Sequence, residues 1–65
     1  MDQDSPLWRA PCANYPDLSV TVARTVMGTY RMVFRDDEAG AIIESRIFNS
    51  ASAADSCARM LVNQP

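Results

Sequence analysis

The chain has 65 residues with six arginines, no lysine, no histidine and eight acidic residues, so its formal net charge is −2 and its pI is about 4.7. We expect one domain, residues 1–65, with a small core, because so short a chain buries only about 60% of the surface that its unfolded form exposes. The absence of histidine excludes Cys-His zinc patterns, and the wide spacing of the two cysteines, Cys12 and Cys57, excludes a Cys-x-x-Cys redox motif. The sequence therefore predicts neither a metal nor a cofactor.

The first residues, MDQDSPLWRAPC, lack the basic and apolar regions of a secretory signal, and no run is long enough to cross a bilayer. This pattern predicts a cytoplasmic protein without a membrane partner. Thiols stay reduced in that compartment, so Cys12 and Cys57 are expected to be free, with a bridge between them as the alternative.

Residues 1–17 are predicted to form an extended arm, because prolines remove hydrogen-bond donors and fix φ. Three of them fall in this span: Pro6, Pro11 and Pro16. Trp8 is costly to leave in water. We therefore expect the arm to pack across the domain.

Residues 18–48 contain three strand-like runs, LSVTVARTV, TYRMVFRD and AIIESRIF, separated by MG and DEAG. Connections this short require hairpins, since parallel strands need longer crossovers. The runs predict a three-stranded antiparallel meander.

Residues 50–63 show helical spacing, with an apolar stripe at Ala54, Cys57, Ala58 and Leu61. Ser52 followed by Asp55 fits a helix start, and Ser50 is an alternative cap. The prediction is an α+β domain of order β-β-β-α, with one C-terminal helix packed on one face of the sheet.

Alternation along the strands predicts an arginine-rich face away from the helix, carrying Arg31, Arg35 and Arg46. If Met32 and Phe34 face the helix, this face also carries Val33, Ile42, Glu44 and Phe48. The placement of Arg24 depends on the hairpin register and stays open. The ordinary interpretation of the arginines is pairing with Glu44 on a solvated face.

A second candidate feature is the acidic tip, which we define as Asp36, Asp37 and Glu38 between the last two predicted strands. Its ordinary interpretation is a turn in which an aspartate side chain bonds to the nearby backbone and Gly40 adopts a left-handed conformation. No histidine or lysine is present to activate a serine, and adjacent exposed carboxylates do not separate their pKa values as acid–base chemistry requires. We therefore do not expect an enzyme.

An acidic chain without catalytic groups can act through its surface, so the first hypothesis is a stoichiometric inhibitor whose tip occupies a basic groove on a protein. Asp2, Asp4 and Asp17 extend the acidic surface. In size, acidity and α+β layout the chain resembles small phage anti-CRISPR proteins directed at type I systems. That resemblance implies, in a bacterial host cell, binding to a Cascade-type surveillance complex that blocks access to target DNA. These proteins share no motif, so the resemblance carries over no site residue.

The alternative hypothesis is DNA binding through the arginine-rich face. The order of three strands, the aromatic in RIF and an alanine-rich helix is similar to integrase arm-binding domains and AP2 domains. Arg31, Arg35 and Arg46 would then contact DNA. The low pI and the acidic tip disfavour nucleic acid as a partner.

A third hypothesis is a homodimer formed through the open sheet face or an edge strand. It is compatible with the inhibitor, and it would cover apolar residues that the small core leaves exposed: Val33, Ile42 and Phe48.

Overall fold

The computed structural model describes residues 4–65 and contains four strands followed by one helix. The elements are β1 (Ser5–Cys12), β2 (Tyr15–Arg24), β3 (Tyr30–Asp36), β4 (Ala41–Phe48) and α1 (Ala51–Val62). Neighbouring strands pair antiparallel in the order β1-β2-β3-β4, so β1 and β4 are the two edges. The α+β layout with an antiparallel sheet agrees with the sequence prediction.

The predicted strand number is wrong, because the sheet has four strands and the predicted extended arm, residues 1–17, contains β1. Pro6 and Pro11 lie in this edge strand, and the pairing with β2 shifts register beside each of them. An edge strand leaves half of its backbone donors unpaired, and bulges relieve the remaining conflict, so proline is tolerated there. Pro16 lies near the start of β2.

The β2–β3 hairpin settles where Arg24 lies. Arg24 pairs with Tyr30, and the turn between them closes through hydrogen bonds from Thr25 N to Thr29 O at 2.9 Å and from Gly28 N to Thr25 O at 3.1 Å. Gly28 has a φ of 82°, which glycine adopts without a Cβ clash. Since Tyr30 packs against the core, Arg24 lies on the helix side of the sheet.

The core lies between α1 and one face of the sheet. The side chains with no exposed surface are few and of modest size: Val20, Val22, Met32, Ala54 and Ala58. Cys57 and Leu61 pack partly against them, as the predicted stripe required. Small helical residues let α1 approach the sheet closely, but they bury little apolar area, so the core is thin for its strand count.

Ser50, rather than Ser52, caps α1, because its hydroxyl accepts a hydrogen bond from Ala53 N at 3.1 Å. Asn63 is the C-terminal cap and donates its backbone N–H to Arg59 O. The predicted span of 50–63 therefore includes both caps of a helix that runs from Ala51 to Val62.

Trp8 connects the β1 edge to the helix. Its indole Nε1 donates to Asp55 Oδ1 at 2.9 Å, and the guanidinium of Arg59 lies 5.6 Å from the centre of its ring. The ring packs against the core cluster. Asp55 thus stabilises the contact between β1 and α1 by accepting this hydrogen bond. It lies beyond the first turn of α1, which contains no acidic residue.

Candidate functional site

The acidic tip is a turn that Asp36 organises. Asp36 Oδ1 accepts hydrogen bonds from Glu38 N at 3.0 Å and from Ala39 N at 3.1 Å. Gly40 follows with a φ of 70°. This is the side-chain-to-backbone pattern with which aspartate closes turns. The carboxylate of Asp36 is therefore partly engaged in holding the turn.

Asp37 turns back onto the sheet face opposite α1, which we call the open face. Its Oδ2 lies 2.9 Å from Arg9 Nη2 and its Oδ1 lies 3.5 Å from Arg35 Nε, while its backbone N–H donates to Asp17 O at 2.8 Å. A hydrogen bond from the buried Ser19 holds the pKa of Asp37 below its usual range, helped by Arg9 and Arg35 and opposed by partial desolvation. The charge of Asp37 is thus compensated within the chain.

Glu38 is exposed, and within residues 4–65 its carboxylate has no ion pair or hydrogen bond. The three residues of the acidic tip therefore have three different environments. The sequence predicts a single acidic tip, because the order of residues does not reveal which carboxylate folds back onto an arginine.

The described residues form a cleft of about 330 Å³ at this end of the sheet, where the β1–β2 turn lies beside the β3–β4 turn. We call it the acidic cleft. Its walls carry three carboxylates and one half-exposed aromatic ring: Asp17, Asp36, Glu38 and Tyr15. Asn14, Pro16 and Leu18 complete the lining.

The C-terminal residues are tied to the β1–β2 turn next to this cleft. Tyr15 Oη donates to Pro65 O at 3.1 Å, and Asn14 Nδ2 donates to Gln64 O at 3.0 Å. Ala13 N donates to Val62 O at 2.8 Å. The sequence does not predict the acidic cleft, because the cleft depends on the β1–β2 hairpin and the prediction for residues 1–17 is an extended arm.

The predicted arginine-rich face is only partly formed. Arg31 and Arg35 lie on the open face, but Arg46 pairs with Met32 and so lies on the helix side. The predicted faces of Glu44, Arg46 and Phe48 are therefore wrong, since Phe48 pairs with Tyr30 and packs against the core while Ile47 is left exposed. Ile42 pairs with Arg35 and lies on the open face, as predicted. Burying the Phe48 ring is worth more than burying an isoleucine at this end, because the ring has the larger apolar area.

Most of the arginines have acidic or aromatic partners. Arg31 Nε lies 2.7 Å from Asp4 Oδ2, and Arg46 pairs with Glu44 two residues before it on β4. Such exposed pairs contribute about 0–1 kcal/mol each to stability. The pairs also neutralise positive charge locally, on the open face at Arg31 and on the helix side at Arg46. Arg24 has no ion pair among the described residues.

Both thiols are free, with Cys12 buried and Cys57 partly buried. Burial raises the pKa of the Cys12 thiol. Among residues 4–65 no cluster of three acidic or cysteine side chains has the arrangement of a metal site. No helix in this part of the chain has the length and apolar character to cross a membrane.

Comparisons with known proteins identify no relative of this chain. No protein-family model matches the chain, and neither the curated proteins nor the solved structures include a significant match. The function is therefore inferred from the surface chemistry of this chain.

Proposed function

We propose that this chain is a protein-binding inhibitor that acts in the bacterial cytoplasm by presenting the acidic cleft to a basic surface of its partner. The observation that carries the proposal is the convergence of Asp17, Asp36 and Glu38 on one cleft, with Asp17 and Glu38 free of ion pairs among the described residues. The site thus differs from the predicted acidic tip, in that Asp17 takes the place of Asp37.

The chemistry of the cleft suits an arginine or lysine side chain of a protein partner. The carboxylates supply acceptors for its N–H groups, and the Tyr15 ring, about half exposed at 48%, supplies a flat surface for a cation. A surface that normally receives nucleic-acid phosphates presents such side chains in quantity. An acidic protein that occupies it competes with DNA for the same charges.

The specific partner in this proposal is a type I Cascade-type surveillance complex, as the resemblance to small anti-CRISPR proteins implies. Binding at the path of the target DNA would prevent target recognition without any chemical step. The absence of an enzymatic activity is part of the same proposal.

The internal pairing of the open face supports protein binding over DNA binding. Arg31 and Arg35 each have a carboxylate within 3.5 Å, and Arg46 lies on the other side of the sheet. A DNA-binding face needs arginines free to replace phosphate counterions. Here the ion pairs would have to be broken first.

The test is binding to a purified type I surveillance complex, measured by biolayer interferometry with and without duplex DNA as competitor. The double variant Asp17→Asn, Glu38→Gln is expected to weaken binding by about tenfold or more, equivalent to about 1.4 kcal/mol. Asp36 is left unchanged because it holds the turn. Wild-type binding is expected to weaken with added salt and with DNA.

The matched control is Asp4→Asn with Asp55→Asn, which removes two negative charges away from the cleft and keeps the oxygen that accepts from Trp8. It should bind as the wild type does. Equal losses in the two double variants would assign the effect to net charge and overturn the acidic cleft as the site. No wild-type binding would remove the surveillance complex as the partner.

A further inference from the structure

β4 is an edge strand with less protection than β1 against pairing with another strand. Edge strands expose a row of free backbone donors and acceptors, and proteins commonly blunt them with proline, lysine or bulges. β1 has Pro6, Pro11 and two register shifts. β4 has neither proline nor lysine, and its one register shift, at Ile43, lies near the start of the strand.

The outward side chains of β4 are unusually apolar for a solvent-facing edge. Ile42, Ile43 and Ile47 have exposed fractions of 61%, 53% and 51%. Leaving them in water costs free energy in proportion to their apolar area, at about 25 cal/mol per Å². A row of isoleucines beside free backbone groups favours pairing with a second strand.

The identity of the strand that pairs with β4 follows from the order of residues in β4, which is self-complementary about Ser45. In the segment Ile43–Ile47, IESRI, an acid precedes the central serine and a base follows it, with isoleucine on both flanks. When two copies run antiparallel with Ser45 opposite Ser45, Glu44 lies opposite Arg46 of the second copy. Ile43 then lies opposite Ile47 of the second copy.

We propose that β4 pairs antiparallel with β4 of a second copy of this chain, about a two-fold axis through Ser45. The two charged pairs lie on the helix side of the sheet, because Glu44 and Arg46 pair within the chain with Phe34 and Met32. The isoleucine pairs lie on the open face. The product is a continuous eight-stranded sheet with both helices on one face.

The charges also select the register. A slip of two residues keeps every side chain on its own face, but it places Glu44 opposite Glu44 or Arg46 opposite Arg46. Like charges directly opposite each other destabilise a strand pair. In the centred register the Glu44 and Arg46 pairs of the two copies form four alternating charges, and the small Ser45 lies on the axis, where a large side chain would meet its own copy.

The experiment measures self-association by sedimentation velocity for the full chain and a set of charge variants. The wild type is expected to dimerise with a Kd between about 1 μM and about 1 mM. Glu44→Arg and Arg46→Glu each bring like charges together across the axis, so each is expected to raise the Kd by about tenfold or more. The double variant with both changes exchanges the two charges and should restore the dimer.

A mixture of the Glu44→Arg and Arg46→Glu variants is the most stringent part of the experiment. In that mixture one chain carries an arginine on each side of Ser45 and the other carries a glutamate on each side, so opposite charges meet at every pair across the axis. The mixture should form a heterodimer, whereas neither variant alone forms a homodimer. Arg24→Glu carries the same charge change as Arg46→Glu on a strand that is not an edge, and it should dimerise as the wild type does.

Circular dichroism of each variant establishes that the fold is retained, which is expected because Arg46 is exposed and Glu44 is only half-buried. Three results would overturn the proposal: a wild-type monomer throughout this concentration range, single variants that dimerise as well as the wild type, or a double variant that stays monomeric. The proposal is independent of the acidic cleft, which lies at the end of the sheet and uses different side chains.

Discussion

The two edges of the sheet, β1 and β4, are built in opposite ways. β1 contains two prolines and two register shifts, against one register shift and no proline in β4, and Trp8 fastens β1 to α1 through Asp55 and Arg59. β4 is a run with exposed isoleucines and no such fastening. A domain with a thin core can therefore close one edge of its sheet by intramolecular contacts and leave the other edge exposed.

The largest expected effect tests the fastening of β1. Trp8→Ala should lower the free energy of unfolding by about 3 kcal/mol, since it removes a large ring from the core together with its hydrogen bond to Asp55. Urea unfolding followed by circular dichroism measures the change.

Ile47→Ala is the matched control on the opposite edge. Its side chain is 51% exposed, so the expected loss is about 0.5 kcal/mol or less at concentrations where the chain is monomeric. If the two variants were equally destabilised, the contrast between the edges would not hold.

A smaller effect tests the junction between β4 and α1. Ser50→Ala removes the oxygen that accepts from Ala53 N, and it should cost about 1 kcal/mol of stability. The measurement is again urea unfolding, with Ser52→Ala as the comparison because Ser52 does not cap the helix. A greater loss for Ser52→Ala would reverse the assignment of the cap.

The third prediction concerns the ion pairs that join β1 to β3 through Asp37. The folded-state pKa of Asp37 is lowered, so its contribution is present above the unfolded-state pKa and is lost as the pH falls through the folded-state value. Wild-type stability should therefore decline more steeply than that of Asp37→Asn below about pH 4. Thermal unfolding between acidic and neutral pH measures the difference, and parallel curves would contradict it.

The last prediction concerns the reactivity of the buried thiol at the end of β1. Cys12 is 3% exposed and burial raises its pKa, so at mildly alkaline pH iodoacetamide should modify Cys57 before Cys12 in the folded chain. Peptide mapping by mass spectrometry identifies the modified residue. Cys12→Ser should leave the rate at Cys57 unchanged, whereas faster labelling of Cys12 would mean that the β1 end opens readily.

Part of the candidate site was visible in the sequence. The acidic residues Asp36 and Glu38 and the closing Gly40 were recognisable from the letters between two strand-like runs. The role of Asp37 was not, because its pairing partner Arg9 is distant in sequence and belongs to a strand hidden by prolines. Asp17 joins the cleft for the same reason.

The faces of β4 show the limit of simple alternation. Its register with β3 shifts between Phe34 and Arg35, because Ile43 is an extra residue in β4. Ile42 therefore lies on the open face while Glu44 lies on the helix side. Alternation assigned Arg46 to the open face, and pairing with Met32 assigns it to the helix side. A bulge changes the count of residues between two paired strands, and no local pattern in one strand reveals it.

Local periodicity is enough to predict the helix with its small-residue stripe, the strand character of residues 18–48 and the glycine turns, because each depends on neighbours within a few residues. Three other features follow only from the folded chain: that Ser5–Cys12 is a strand, which side of the sheet each β4 residue occupies, and which carboxylates of the acidic tip have no ion pair. These outcomes depend on pairing between segments far apart in the chain, where burial of Trp8 and Phe48 outweighs local preference.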